Sequence, residues 1–244
     1  MKQVCLHGRV SADDLVRLVV SQTALRQIDE HLNQDLSNEA GGALLGSVES
    51  DRHRYLVSVD ATLPVHAGDR GPVHFTFSAD SWAQLQTARA ETYPTMEIVG
   101  WYHSHPDLGV FFSPDDVIVH SAAFVQPWHV ALVIDPVRQE GCFFSRRPSA
   151  AAHQPGDLTA MTGFFEKLEL ESDSLTTWKP LTSALVGHYP TALSERSERR
   201  NALASSANGV GLPPVNPWWG VALGGLSLLI SLALLIERVL AGLR

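Results

Sequence analysis

The chain has 244 residues, with 18 Lys and Arg against 26 Asp and Glu, a formal charge of -8 and a mean hydropathy of +0.01. Residues 1–182 hold 13 basic and 23 acidic side chains, which excludes the clustered cations that DNA or RNA binding needs to displace counterions, so no nucleic-acid partner is expected. About 180 residues suffice for one domain with its own core. Cys5 and Cys142 form neither a CxxC pair nor a disulfide framework, in keeping with a reducing compartment.

The first fifteen residues, MKQVCLHGRVSADDL, lack the apolar stretch of about 7–15 residues that an export signal carries, so the folded part is expected on the cytoplasmic side. Residues 15–20 read as a strand, and Ser21 caps a helix with Leu25, Ile28, Leu32 and Leu36 on one face. Residues 43–48 and 55–63 read as strands, joined by a hairpin loop at 47–54; in the second, Tyr55, Val57, Val59 and Ala61 alternate with polar residues. A short strand at 74–77 leads to a helix opened by Ser78 and Asp80 that presents Trp82, Leu85 and Ala88. Then come a strand at 97–102, a helix at 114–123 and strands at 129–134 and 141–145. This order predicts a mixed α/β domain over residues 1–182.

Residues 183–217, rich in Ser, Asn, Gly and Pro, are expected to be a flexible linker. Residues 218–236, WWGVALGGLSLLISLALLI, are uncharged and as a helix would span about 28 Å, the thickness of a bilayer core. Trp218 and Trp219 suit an aromatic belt, and Arg196, Arg199 and Arg200 suit a cytoplasmic flank. A single transmembrane anchor with a short tail at 237–244 is therefore expected. Gly220 and Gly224 have the spacing that can pair two such helices into a weak homodimer.

The chemistry concentrates in GWYHSHPDLGVFFSPDD, residues 100–116. His103 and His105 are two apart at the end of an apolar strand, so both side chains leave the same face as a chelating pair. Hydrolytic zinc takes three protein ligands from His and carboxylate and keeps a fourth position for water. Asp116 is the natural third. Ser113 followed by Pro114 starts a helix and puts Asp116 in its first turn, although Ser-x-x-acid is equally the pattern of a structural capping box.

His103-Ser104-His105, then seven residues, then Ser113-x-x-Asp116, preceded by Glu39 in EAGGALLG, resembles the JAMM (MPN+) zinc metalloprotease signature over roughly residues 14–148. Glu39, Gly42, Leu44 and Gly46 match the E-x-x-G-x-L-x-G strand entry of that family. The resemblance implies a cytidine-deaminase-like curved mixed sheet flanked by helices. It also implies one catalytic Zn2+ held by His103, His105 and Asp116, with Glu39 as general base and Ser113 as donor to the oxyanion. Members of this kind cleave the bond after the C-terminal Gly-Gly tail of ubiquitin-like proteins, which makes a ubiquitin-like protein or its conjugates the implied partner. A hydrolase of small amino-acid or sulfur-carrier conjugates shares the same five residues, and a non-catalytic adaptor would keep the fold without the metal. No insertion for linkage selectivity is evident after the motif, so precursor trimming or deconjugation is the simpler expectation. His120, four residues after Asp116, reads either as a partner of that carboxylate or as a partly buried polar residue. Val110, Phe111 and Phe112 read either as groove or as core, and the loop from His66 toward His74 either as a flap or as plain surface.

Overall fold

The middle strands carry apolar side chains at odd and even positions alike, which suits a sheet covered on both faces. The computed structural model describes residues 3–51, 54–65, 70–71, 74–148 and 157–191. In chain order the elements are β1 (Gln3–Gly8), β2 (Val16–Ser21), α1 (Gln22–Leu32), β3 (Gly41–Asp51), β4 (Arg54–Pro64), β5 (Arg70–Gly71), β6 (His74–Phe75), α2 (Ala79–Thr92), β7 (Glu97–Ser104), α3 (Pro114–Ala123), β8 (Val130–Asp135), β9 (Glu140–Arg146), β10 (Leu158–Ala160), β11 (Gly163–Leu168) and β12 (Lys179–Pro180). They build a curled mixed sheet in the order β1-β11-β2-β4-β3-β7-β8-β9-β10, with β12 on β9. β7 lies between β3, to which it is antiparallel, and β8, to which it is parallel.

Alternation sorts the core into two layers. Leu44, Tyr102, Leu132 and Ile134 meet Leu25, Ile28 and Leu32 of α1 on one face. Leu45, Trp101, Val133 and Phe144 meet Leu85 of α2, Val119 of α3 and Phe124 on the other. The glycines of the strand entry have a steric cause. A Cβ on Gly42 would strike the Leu63 carbonyl, and one on Gly46 the Ser58 carbonyl, because β4 passes close by at a bulge between Leu45 and Gly46.

Several sequence expectations are corrected here. α1 stops at Leu32, where Asn33 caps it by donating its backbone N–H and side-chain amide back to Asp29; Leu36 lies beyond the helix and is exposed. The hairpin loop expected at 47–54 is mostly strand, since β3 and β4 stay paired out to Asp51 opposite Arg54. The short strand expected at 74–77 ends at Phe75 and pairs with β5.

β1, β10, β11 and β12 carry no strand signal of their own in the sequence, being short or lying at or near the sheet edge. Their anchor is polar: buried Glu166 of β11 accepts from Gln22, Ser174 and Leu175 and contacts His7, while the Gln22 amide oxygen accepts from the N–H groups of Glu169, Leu170 and Glu171. No helix among the described residues is long and apolar enough to cross a membrane; the anchor expected at 218–236 lies outside the described residues.

Phe124 is wholly buried among the rings of Phe77, Trp82, Trp101 and His120. Phe124→Ala is expected to lower the unfolding free energy by about 3–5 kcal/mol, through lost burial and the cavity left behind, read from urea denaturation.

Candidate metal centre

The site forms where β7 runs out. His103 is paired across to Gly41, and its ring stacks on Trp101 at 4.6 Å between centroids, with Phe75 beyond at 6.3 Å. His105 follows the strand. Its N–H donates to the Ile134 carbonyl at 2.8 Å, its ring packs on Phe111, and its Nδ1 faces the Gly109 carbonyl at 3.3 Å. A proton on Nδ1, donated to that carbonyl, leaves the Nε2 lone pair directed into the site.

Asp116 arrives from the other side, in the first turn of α3. Ser113 is the N-cap: its Oγ accepts from the Asp116 N–H at 3.0 Å, and Asp116 Oδ2 accepts from the Ser113 N–H at 2.7 Å. The capping box is therefore formed, yet it occupies only one carboxylate oxygen. Oδ1 is left facing His103 Nε2 at 3.2 Å. Cap and ligand are compatible roles for one residue. Among the described residues the Ser113 hydroxyl proton has no acceptor, so it is free to be donated into the site.

The Nε2 atoms of His103 and His105 are 3.1 Å apart, and His105 Nε2 is 3.8 Å from Asp116 Oδ2. Ligand atoms on a tetrahedral zinc at about 2.0–2.1 Å stand about 3.3–3.4 Å from one another, close to the 3.1 Å between the two imidazoles and the 3.2 Å from His103 to Asp116 Oδ1. All three residues are buried, and the donor set of two imidazoles and a carboxylate is the one zinc prefers. The electrostatics point the same way. Burial pushes His105 down to about 4, so it stays neutral as a ligand must. Burial also opposes charge on Asp116, but His103 and the hydrogen bonds prevail and bring it down to about 2. Against its own burial, His103 is raised by Asp116.

Glu39 sits just before β3 with Oε1 3.8 Å from His105 Nε2, and burial pushes its carboxyl up to about 8. Ser104, between the two histidines, positions it: Ser104 Oγ accepts from the Ala40 N–H at 3.0 Å, and the Ser104 N–H donates to the Ala40 carbonyl at 2.8 Å. Buried at the end of β8, Asp135 accepts from the N–H groups of Asp107, Gly109, Val137 and Arg138, and so shapes the loop whose Gly109 carbonyl holds His105. The signal available was an acid ending an apolar strand.

His120 does not reach Asp116. It is fully buried and accepts from Trp101 Nε1 at 3.1 Å, so α3 turns it toward the aromatic layer. Phe112 is core, whereas Phe111 is buried against a ligand ring. Of the loop from His66 toward His74, residues 66–69 and 72–73 lie outside the described residues, and the remainder forms the β5–β6 ladder. The first residues of the expected linker are in place beside the motif. Phe112 donates its N–H to the Leu185 carbonyl and accepts from the Gly187 N–H, each at 2.8 Å, and the Tyr189 hydroxyl donates to Asp115 Oδ2 at 2.9 Å. Partial burial, then the charge of Asp115, keeps the Tyr189 phenol protonated; Asp116 and Glu39 add to the effect.

A curled mixed sheet with two imidazoles and a carboxylate converging at the end of its middle strand defines a JAB-type domain. The family described as prokaryotic homologs of the JAB domain matches residues 21–147, just over half of the chain, and the chain belongs to it. Among curated relatives, it is 42% identical over 81 residues to the NAD(+) hydrolase TcpA of Theionarchaea archaeon (strain DG-70-1), covering 33% of this chain and 23% of that protein. It is 31% identical over 125 residues to COP9 signalosome complex subunit 5 of Caenorhabditis elegans, covering 50% and 33%, and 33% identical over 123 residues to that of Drosophila melanogaster, covering 49% and 36%. The chain thus spans between 23% and 36% of the length of these relatives. Among solved structures, the solution structure of protein DSY2949 from Desulfitobacterium hafniense is 24% identical, with a TM-score of 0.47 over 63% of this chain and 95% of that one.

Two outcomes are expected. In the metal-free chain Glu39 binds its proton more tightly folded, at about 8, than unfolded, at 4.5, so its contribution to stability is complete below 4.5 and lost as pH rises to about 8; His103 acts in the same sense. The neutral His105 contributes above 6.5 and loses that contribution as pH falls to about 4. With a chelator present, melting temperatures should fall between pH 6.5 and 8, and added zinc should abolish the fall. Ser104→Ala, which leaves the buried Ala40 N–H without its acceptor, should cost roughly 1–3 kcal/mol in denaturant unfolding and leave zinc content unchanged.

Proposed function

We propose that the chain is a zinc-dependent isopeptidase or peptidase that hydrolyses the bond following the C-terminal tail of a ubiquitin-like protein, held at the cytoplasmic face of a membrane by residues 218–236. The observation that carries this reading is the convergence of the His103, His105 and Asp116 ligand atoms with the Glu39 carboxylate 3.8 Å from His105. Zinc held there by His103, His105 and Asp116 would supply a Lewis acid for the scissile carbonyl and would acidify the attacking water.

The remaining work falls to the chain. Glu39 takes a proton from the attacking water and returns it to the departing amine. The Ser113 hydroxyl, its oxygen already fixed by the Asp116 N–H, donates to the developing oxyanion, a contribution typically worth about 10²-fold or more in rate. Burial of all five side chains strengthens each of these interactions by excluding water. A tether that keeps the domain beside membrane-bound conjugates raises their effective concentration without a new contact.

Detergent-solubilised full chain loaded with zinc should cleave a ubiquitin-like fusion after its Gly-Gly tail. Glu39→Gln should abolish cleavage while metal analysis still finds zinc; His103→Ala and Asp116→Ala should lose both. Faster hydrolysis of small amino-acid conjugates than of the fusion would overturn the assignment to a protein tail.

A further inference from the structure

Residues 185–189 lie against the motif in an unusual way. Phe112, the residue immediately before Ser113, has both main-chain polar groups engaged by this segment: its N–H donates to the Leu185 carbonyl, and its carbonyl accepts from the Gly187 N–H. This two-way pairing is how one strand adds to the edge of another, and it is a standard mode of recognising extended peptides. The contact also abuts the metal centre. Tyr189 packs its ring on Phe111 at 6.2 Å between centroids, and Phe111 in turn packs on the His105 ring at 4.5 Å.

The hold is light. Upstream, the Leu181 N–H donates to the Gly141 carbonyl and β12 pairs with β9, which fixes one end of the segment on the sheet. Beyond that point the segment is held by the two main-chain bonds at Phe112, the Tyr189–Asp115 bond, the Tyr189–Phe111 ring contact and the packing of partly buried Ala184 and Val186 on the aromatic core layer. Leu185 and Tyr189 are 52% and 48% exposed, and a Cβ on Gly187 would meet nothing within 4 Å. Net contributions of about 0.5–1.5 kcal/mol per hydrogen bond make such a segment displaceable by a ligand offering equivalent pairing.

We propose that the main-chain edge of Phe112 is the docking edge for the extended tail of the substrate, and that residues 185–189 occupy it until a tail displaces them. The proposal rests on the peptidase reading above. An extended tail ending in small residues offers the same alternating N–H and carbonyl groups as Leu185–Gly187, and running past Phe112 it is delivered toward Ser113 and the ligand histidines. Occupation by the chain's own segment lowers the apparent affinity for substrate by the fraction of molecules in which the edge is free.

The test uses the zinc-loaded full chain. Gly187→Pro removes the N–H that pairs with Phe112 and forbids the positive φ of 72° at that position; Tyr189→Phe removes the bond to Asp115. Each should lower KM for the Gly-Gly fusion by about 3- to 10-fold, the equivalent of one lost hydrogen bond, with kcat unchanged. In the Glu39→Gln background, a peptide ending in Gly-Gly should speed hydrogen exchange at 184–189 while protecting the Phe112 amide. Unchanged or raised KM in both variants, or protection of 184–189 by the peptide, would show the segment to be a fixed wall and overturn the proposal while leaving the peptidase reading intact. A wild-type chain that binds zinc but cleaves no fusion would overturn that reading, and this proposal with it.

Discussion

Everything at the metal centre depends on the main-chain pairing of β7 between β3 and β8. Antiparallel pairing with β3 sets Gly41 opposite His103, and the Ser104–Ala40 bonds then bring Glu39 to the strand end. Parallel pairing with β8 ends at Ser104 opposite Ile134; the next N–H, that of His105, still donates to the Ile134 carbonyl. A slip of one residue would turn both histidines to the α1 face. With both faces buried, the register is set by which side chains pack where: Tyr102 against the α1 layer, Trp101 and the His103 ring stacked on it against the opposite one.

The second constraint is electrostatic. The N-terminus of α3 needs an acceptor for its open N–H groups, and Asp116 supplies one with a single oxygen while the other points at His103. An ordinary helix start thereby holds a carboxylate oxygen beside the two histidines. Asp135 does the comparable work on the opposite side, gathering four backbone N–H groups so that the loop after β7 presents the Gly109 carbonyl to His105. Neither histidine relies on its own rotamer alone: one is stacked by Trp101, the other hydrogen-bonded through Nδ1 and covered by Phe111.

Much of this was legible in the chain because the informative patterns are local. The His-x-His spacing, the Ser-Pro helix start and the long buried strands each follow from a period or a cap within a few residues. The bounds of α3 agree with the sequence expectation, and those of β7, β8 and β9 fall within two residues of it. The parts that escaped are non-local. β11 is parallel to β2 and antiparallel to β1, from sequence neighbourhoods more than 140 residues apart, and it carries no strong alternation of its own. His120 was ambiguous because helical spacing relates it to Asp116, whereas its partner, Trp101, comes from a different element.

The sequence by itself determined the donor side chains available, their order and the acidic balance of the domain, since donor chemistry and strand or helix period are properties of neighbouring residues. Only the tertiary structure decided that Glu39 faces His105, that Ser104 and Asp135 position the site, and that residues 185–189 lie along Phe112 beside it. The physical reason is that these are contacts between elements far apart in the chain. They follow from which strand edges pair and which faces are covered, and residue spacing carries no record of either.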